Sequence, residues 1–383
     1  MICKKSEFGM KPQKCVIVFS GFNQRAVIAF LRTLKRDNLN YAIIAKSEDD
    51  NIFLTEYAYN VLAVRRSVPL DLEDILETIK TVQSKCNTNK YVIAPTAEAL
   101  NRFLLEHKES FSKIGCEIPL VDKVLYEKIS DKYSFGEICS RSGIYTPKEL
   151  RFNEINTLPV VAKPKKYFSS STRKILSPQI ISNSQELTAF SKEQNAEDYY
   201  FQEYISGKSL YLLYYFSKNG VIYKLSQENI IQQPDGKSMV AVITSNFHKT
   251  AESEKYERMF KTLNFFGLVM IEVKQMNGIN YMIEANPRFW GPSQLFVDAG
   301  VNFFEAFLYD LGILDKLPKF SDPSEIIHYF WFGGMIEAYK QSKRLKYYQG
   351  DEVDIMYSLP TWLQSDIYRR ADTINVFKKE IFE

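Results

Sequence analysis

Short apolar runs alternate with longer amphipathic segments over the first third of the chain. The apolar runs predict buried strands and the amphipathic segments predict helices, the strands at 15–19, 41–45 and 91–94 and the helices at 26–34, 72–82 and 97–105. Strands that alternate with helices along a chain form a parallel sheet with helices on its faces. We therefore predict an α/β N-terminal domain, a doubly wound parallel sheet, over residues 1–120.

The order of predicted elements differs in the rest of the chain, because strands there follow one another as hairpins. Helical periodicity over 124–143 precedes a buried run that ends in Lys163-Pro164 and a strand at 199–205. Further strands are predicted at 210–217, 221–226, 239–244 and 268–275, with helices at 254–265, 293–299 and 303–308. Paired strands of this kind predict an α+β arrangement with an antiparallel sheet. We expect linker helices and a small lid at 121–205, a catalytic subdomain at 206–317, and a C-terminal appendage at 318–383 that packs on that subdomain or on a second subunit.

Composition narrows the class of protein. The chain has 383 residues, of which 45% are hydrophobic and 25% charged, as in ordinary soluble domains. A net charge of +3 shows none of the strong positive charge that is typical of nucleic-acid-binding proteins. No apolar run approaches the length of a membrane span. Five cysteines without CxxC spacing, and a polar start without the apolar core of a signal peptide, favour a cytoplasmic protein with reduced thiols. We expect no nucleic-acid or membrane partner.

The stretch from Tyr281 to Gly291 carries the clearest chemistry. Side chains alternate along a strand, so Glu284 and Asn286 point the same way, a carboxylate beside an amide oxygen. Pro287 marks the end of the strand or a bulge, and the guanidinium of Arg288 follows in the turn. These groups at one strand end suit a magnesium-bound polyphosphate.

Glu272, on the preceding strand, is the third candidate ligand, and its orientation depends on the turn. A two-residue turn at Asn277-Gly278 would put Glu272 opposite Ile283 and away from Glu284. A three-residue loop would pair Gln275 with Ile279 and put Glu272 opposite Met282, diagonal to Glu284 on one face. We predict the three-residue loop. The alternative is a plain hairpin with two solvent-facing glutamates.

Glu272 followed by Glu284-x-Asn286-x-Arg288 resembles the metal and phosphate motif of the ATP-grasp superfamily. The chain is similar to its carboxylate–amine ligase branch, which includes biotin carboxylase and the synthetase domains of carbamoyl phosphate synthetase. Three further stretches carry the resemblance: Asp131-Lys132, Val161-x-Lys163-Pro164, and Gln202-Glu203-Tyr204-Ile205-x-Gly207. The resemblance implies the ATP-grasp fold, with a pre-ATP-grasp domain, a lid and a catalytic domain.

The resemblance also implies site residues and cofactors. Glu272, Glu284 and Asn286 would hold Mg²⁺, with Mn²⁺ as an alternative, while Arg288 and Lys163 would act in catalysis. Nucleotide contacts would come from the following residues: Lys132, Lys163, Ser169, Ser170, Ser171, Glu203, Tyr204, Ile205 and Lys208. The cofactors implied are ATP and magnesium.

Two departures from the family pattern affect these assignments. The lid loop has serines at 169–171 where relatives have glycines, and basic residues flank them at Lys165, Lys166, Arg173 and Lys174. Serine amides and hydroxyls can still donate to phosphate. Relatives have an acidic residue for the ribose hydroxyls after the hinge glycine, whereas Lys208 follows here, so Glu203 could serve instead.

Four residues are candidates for substrate contacts. Arg25 lies in the turn after the first strand, at the edge where parallel sheets bind ligands, although a turn that only caps the next helix is the more common explanation. His248 is a loop histidine that could bind substrate or move a proton, but most such histidines do neither. Trp290 and Ser293 follow the metal motif directly.

The function expected is an ATP- and magnesium-dependent carboxylate–amine ligase that forms an amide or peptide-like bond through an acyl phosphate. The alternatives are carbamoyl phosphate-type or kinase-like phosphoryl transfer, and a nucleotide-binding module without turnover. Its partners would be a small carboxylate and a small amine, and a homodimer is left open.

Overall fold

The computed structural model describes residues 14–172, 174–317, 319 and 322–383; Arg173, named above, lies outside them. The N-terminal part is a five-stranded parallel sheet in the order β3-β2-β1-β4-β5. Alternate residues of β1 pack against α1 on one face and against α2 and α3 on the other, which makes the sheet doubly wound as predicted. The elements are β1 (Cys15–Phe19), α1 (Gln24–Arg36), β2 (Tyr41–Ala45), β3 (Val61–Val64), α2 (Leu72–Lys85), β4 (Tyr91–Ile93), α3 (Glu98–Glu106), α4 (Lys108–Lys113) and β5 (Cys116–Glu117).

Two linker helices and a small sheet follow. The helical segment predicted at 124–143 is two helices that meet at Asp131, whose carboxylate pairs with Arg102 instead of capping the second helix. The small sheet has the order β6-β9-β7-β8. The elements are α5 (Lys123–Ser130), α6 (Lys132–Arg141), β6 (Glu149–Leu150), β7 (Val160–Pro164), β8 (Gln179–Ile181), α7 (Ser184–Glu193) and β9 (Tyr199–Glu203).

The largest sheet is antiparallel, in the order β14-β13-β10-β11-β12-β15, with β16 paired to β11. Its strands β15 and β16 come from the C-terminal segment, so this segment extends the large sheet as well as packing on it. The elements are β10 (Lys208–Phe216), β11 (Ile222–Gln232), β12 (Met239–Ser245), α8 (Ala251–Thr262), β13 (Gly267–Met276), β14 (Ile279–Asn286), α9 (Gln294–Asp298), α10 (Phe303–Asp310), β15 (His328–Phe330), α11 (Phe332–Lys340), β16 (Lys346–Tyr347), α12 (Glu352–Gln364) and α13 (Ile374–Phe382).

One hydrophobic core joins the N-terminal sheet to the large sheet. Phe30 of α1 packs edge-on against Phe289 and Phe304, with ring centroids 5.0 and 4.9 Å away. Aromatic contacts of this geometry add to the burial of large apolar area. The turn after β1 is therefore held beside the end of β14. Within the described part of the chain, no helix is long and apolar enough to cross a membrane.

The predicted register of the β13–β14 hairpin is wrong. Gln275 pairs with Asn280 and Met276 with Ile279, so the turn has two residues. Asn277 and Gly278 both have positive φ, 53° and 77°, the conformation that suits the twist of a two-residue hairpin.

Candidate functional site

A β-bulge at Ile283 decides where the two glutamates point. Val273 pairs with Met282, but the next pair along is Glu272 with Glu284, so β14 has one extra residue. The bulge reverses the alternation that the two-residue turn would impose, because one added residue moves every later side chain to the other face. Glu272 and Glu284 thus lie directly opposite each other on one face, although the register predicted to put them there was wrong.

Two carboxylates in such a pair repel each other unless cations compensate them. The ammonium of Lys132, at the start of α6, lies 2.5 Å from Glu284 Oε2. Burial works against the charge of Glu284, but Lys132, Asn286 and Lys163 together outweigh burial and lower the pKa of Glu284 to about 2. Burial raises the pKa of Glu272, with Lys274 opposing this effect and Glu284 adding to it. One glutamate is therefore held as a carboxylate, and the other depends on added positive charge.

Lys163 reaches the same point from the small sheet. Its ammonium donates to the carbonyl of Ile283, the bulge residue, over 2.9 Å. Lys163 is only 5% exposed, and burial together with nearby Lys132 lowers the pKa of Lys163 to about 7. Such a lysine gains a large interaction energy when an anion enters beside it.

Asn286 and Arg288 complete the end of β14. The Asn286 amide nitrogen donates to Glu284 Oε1 over 2.8 Å, and its oxygen accepts from Arg288 Nη2 over 3.0 Å. Arg288 Nη1 also donates to the carbonyl of Phe289, which accepts a second bond from the side chain of Asn23. Asn23 has left-handed φ and makes no side-chain cap to α1. The turn after β1 is thus joined to the residues that follow β14.

A cleft of about 1320 Å³ contains these groups. It extends from the turn after β1, past the paired glutamates, to the predicted nucleotide hinge. The hinge residues Glu203, Tyr204 and Ile205 line it, together with Lys132, Lys163, Glu272, Glu284, Asn286, Arg288, Arg25 and Trp290. The cleft is large enough for a nucleotide and a second small molecule.

The serines of the lid loop bond to Asp198 and do not line the cleft. Ser169 Oγ donates to Asp198 Oδ2 over 2.7 Å, and both the amide and the hydroxyl of Ser170 donate to Oδ1. The amide of Ser171 donates to Ser169 Oγ. In this arrangement the donors expected to bind phosphate are occupied within the lid.

Other predicted site residues lie apart from the cleft or have structural partners. The Lys208 ammonium pairs with Glu228 at 2.5 Å, and it does not line the cleft. His248 is buried, with one ring nitrogen bonded to Ser226 and the other to Asp322. The Ser293 hydroxyl donates to the carbonyl of Trp290. These contacts hold backbone segments together and leave the three side chains unavailable to a ligand in the cleft.

Sequence reasoning missed two cations of the cleft. Lys274 lies two residues after Glu272, and its ammonium is 5.5 Å from the centre of the Tyr204 ring. Alternation along β13 was the signal for it. Lys346, from β16, donates to the Tyr204 hydroxyl over 2.7 Å. Nothing in the sequence places Lys346 there, because strand pairing between distant segments determines its position.

The donor set fits magnesium. Two carboxylates and an amide oxygen are hard oxygen ligands, and Mg²⁺ takes few protein ligands when it also binds phosphate oxygens and water. The described residues hold no group of three or more histidine, cysteine or acidic side chains placed to bind a metal alone. Magnesium at this site would therefore be shared with a bound phosphate.

No protein-family model matches the chain, and no curated protein matches it in sequence. Solved structures do match it. A biotin carboxylase from Campylobacter jejuni, in complex with β-γ-ATP, has a TM-score of 0.60 at 14% identity, covering 80% of this chain and 72% of its own. N5-carboxyaminoimidazole synthetase from Staphylococcus aureus has a TM-score of 0.60 at 15% identity, covering 89% and 88%.

Domains of larger carboxylases match as well. The biotin carboxylase domain of Hydrogenobacter thermophilus 2-oxoglutarate carboxylase, in complex with MgADP, ADP and bicarbonate, has a TM-score of 0.59 at 15% identity, covering 82% and 72%. Rhizobium etli pyruvate carboxylase matches over 82% of this chain, which spans 30% of that protein. With the three sheets and the paired strands described above, these likenesses confirm the predicted architecture: the chain has the ATP-grasp fold.

Proposed function

We propose that the protein is an ATP- and magnesium-dependent carboxylate–amine ligase. The observation that carries the proposal is the pairing of Glu272 with Glu284 on the face that lines the cleft. Lys132, Lys163 and Arg288 lie around this pair and supply positive charge from α6, from β7 and from the turn after β14. The carboxylates can bind a metal ion, and the surrounding cations can neutralise the negative charge of a triphosphate bound to that metal.

The reaction would proceed in two transfers. A carboxylate oxygen of the first substrate attacks the γ-phosphorus of ATP, the bond from that phosphorus to the bridging oxygen breaks, and ADP leaves. An amine nitrogen then attacks the acyl carbon, inorganic phosphate leaves with the electron pair of the broken bond, and the nitrogen loses a proton to water. Bound magnesium would supply charge neutralisation across the phosphate oxygens.

The side chains of this chain would position and neutralise the reacting groups. Lys163 and Arg288 would stabilise the negative charge on the transferred phosphoryl group, and Lys132 would balance the phosphates beside Glu284. The backbone of Glu203 to Ile205 would contact the adenine. Lys163 supports this placement, because it lies on β7, which pairs with β9 at Glu203, and it bonds to Ile283 next to Glu284.

ADP formation tests the proposal. The assay would supply MgATP with a panel of carboxylic acids and bicarbonate, each with and without amino acids as amines, because one structural neighbour was crystallised with bicarbonate. We expect ADP and an amide product from one pair and no ADP with Glu284→Ala. The control is Glu254→Ala, which removes an exposed glutamate of α8 paired only with Arg258.

The outcomes separate the candidate functions. Full activity of Glu284→Ala at saturating magnesium would contradict the proposed metal site. ADP formation that needs no amine, with release of a phosphorylated acid, would instead establish phosphoryl transfer as the reaction. Nucleotide binding with no turnover on any pair would favour the non-catalytic module. A homodimer and the cytoplasmic location stay predictions.

A further inference from the structure

Arg25, the second residue of α1, is a buried arginine at the end of the cleft beyond Arg288. It is 9% exposed and lines the cleft, as does Trp290. In the described ranges, no carboxylate lies within ion-pair distance of its guanidinium. Arginine keeps its charge at any ordinary pH, so burial without an anion is costly.

Only part of the guanidinium is used within the protein. Nη1 donates to the carbonyl of Met239 over 3.0 Å and to the hydroxyl of Tyr329 over 3.4 Å. The face of the group lies over the ring of Trp331, 3.8 Å from the centroid. For the residues that the structure describes, neither Nη2 nor Nε has a hydrogen bond. Two donors on one edge of the group therefore stay unused.

Gly291 lies close to the unused edge and, like Arg25, lines the cleft. A Cβ on Gly291 would lie 2.9 Å from Nη2, closer than Cβ atoms come to other atoms, so a larger residue would press on this edge. Trp290, the neighbour of Gly291, is 1% exposed, and its Nε1 is a buried donor without a partner among the described residues. Unpaired buried donors are rare and usually mark a missing ligand or water.

We propose that the cleft binds a substrate carboxylate that is not consumed in the reaction, and that Nη2 and Nε of Arg25 hold it. This inference rests on the proposed ligase function, since it names the class of one substrate: a dicarboxylic acid, or an amino acid that serves as the amine. The paired donors of a guanidinium edge match the two oxygens of a carboxylate. The indole ring of Trp290 lines the cleft beside it, and the ring of Trp331 covers one face of the guanidinium.

A purely structural role for Arg25 accounts for Nη1 and the stacked face, which join α1 to β12, β15 and the residue after β15. It does not account for the unused edge. Glu380 is an acid on the other side of Trp331 and accepts from Trp331 Nε1 over 3.0 Å. That carboxylate is occupied by the indole and does not bond to Arg25.

The test is calorimetric titration of the full chain with MgADP bound. The probes are the C3 to C6 dicarboxylates and the twenty protein amino acids, each compared with its monoamide or carboxamide. We expect at least one acid to bind with a Kd below about 1 mM and its amide at least tenfold more weakly. Arg25→Met should bind acid and amide equally weakly, Arg25→Lys should recover part of the preference, and Gly291→Ala should weaken the acid without removing a charge.

The inference is overturned if no acid binds the wild type, or if Arg25→Met keeps the preference of acid over amide. A structural role would weaken acid and amide alike, so the preference is the deciding readout. Each variant must bind MgADP within twofold of the wild type, which shows that it is folded. If MgADP fails to bind the wild type, the ligase proposal fails by itself, and the same titrations without nucleotide still decide whether Arg25 binds a carboxylate.

Discussion

Replacing Lys163 by methionine should weaken nucleotide binding far more than the same change at Lys132. The two lysines flank the same glutamate pair, but only Lys132 has a carboxylate partner, Glu284 at 2.5 Å. Lys163 bonds to a backbone carbonyl and is almost fully buried. Its charge is therefore available to an incoming phosphate, whereas the charge of Lys132 is already balanced. Methionine has a similar length and keeps the packing of the side chain.

The size of the effect follows from Coulomb's law. Two unit charges at 4 Å interact by about 4 kcal/mol at an effective dielectric constant of about 20. Because the pKa of Lys163 is about 7, half of the free protein must take up a proton at neutral pH, which costs about 0.4 kcal/mol. In the variant, water that enters the space left by Lys163 solvates the phosphate and offsets part of the lost interaction energy. We expect a loss of about 2–3 kcal/mol, a Kd for ADP about 30- to 150-fold higher.

Calorimetric titration of ADP at saturating magnesium measures the difference. Under that condition magnesium balances Glu284 in Lys132→Met, so we expect this variant to lose about fivefold or less. Lys165→Met is the matched control, because Lys165 is an exposed lysine two residues further along the lid. Equal affinities for the Lys163 and Lys132 variants, or a Lys163 variant within threefold of the wild type, would refute the reasoning.

Three further predictions concern the frame of the site. Gly207→Ala should destabilise the protein by about 2 kcal/mol or more in denaturant unfolding, because its Cβ would lie 1.7 Å from the carbonyl oxygen of Gln275, whereas Gly136→Ala, in open space on α6, should be neutral or stabilising. Burial raises the pKa of Glu380 to about 7, above the 4.5 of the unfolded chain, so its ionisation lowers stability as pH rises from about 4.5 to 7. Glu380→Gln should therefore match the wild type near pH 4.5 and exceed it by about 1–3 kcal/mol at pH 8; a constant difference across unfolding curves at these pH values would contradict this. Lys346→Met should weaken ADP binding about threefold to tenfold, because Lys346 supports the hinge residue Tyr204, while Lys343→Met, which removes a surface pair with Asp235, should leave it unchanged.

Local patterns were enough for many of the elements and for most of the residues now seen in the cleft. The three strands and three helices predicted for the first domain lie within a few residues of their observed bounds, because a buried strand and an amphipathic helix each impose a short period on the sequence. The short elements β3, α4 and β5 were not predicted. Glu284, Asn286 and Arg288 are near neighbours at the end of β14, so local reasoning could group them. Lys132 and Lys163 were identified by resemblance to a family, and the structure brings both beside Glu284.

The orientation of Glu272 shows where local reasoning stops. Asn277-Gly278 carries the signal of a two-residue turn, and the structure has that turn. The two glutamates share a face only because Ile283 forms a bulge. Its carbonyl accepts from Lys163, and the amide of Met282 donates to the carbonyl of Tyr145, both outside the hairpin. Because the bulge is stabilised by partners more than a hundred residues away, it cannot be predicted from the alternation of residues along the strand.

The sequence by itself determined many of the element types, the fold class and the grouping of Glu284, Asn286 and Arg288 at the end of β14, because each depends on neighbours within a few residues. Tertiary structure alone decided which donors stay available to a ligand. Asp198 accepts hydrogen bonds from the serines of the lid, and Glu228 forms an ion pair with Lys208. Arg25 keeps one edge of its guanidinium without a hydrogen bond and lines the cleft. Those outcomes depend on which side chains meet after folding, and contacts between distant segments are not encoded in any local period.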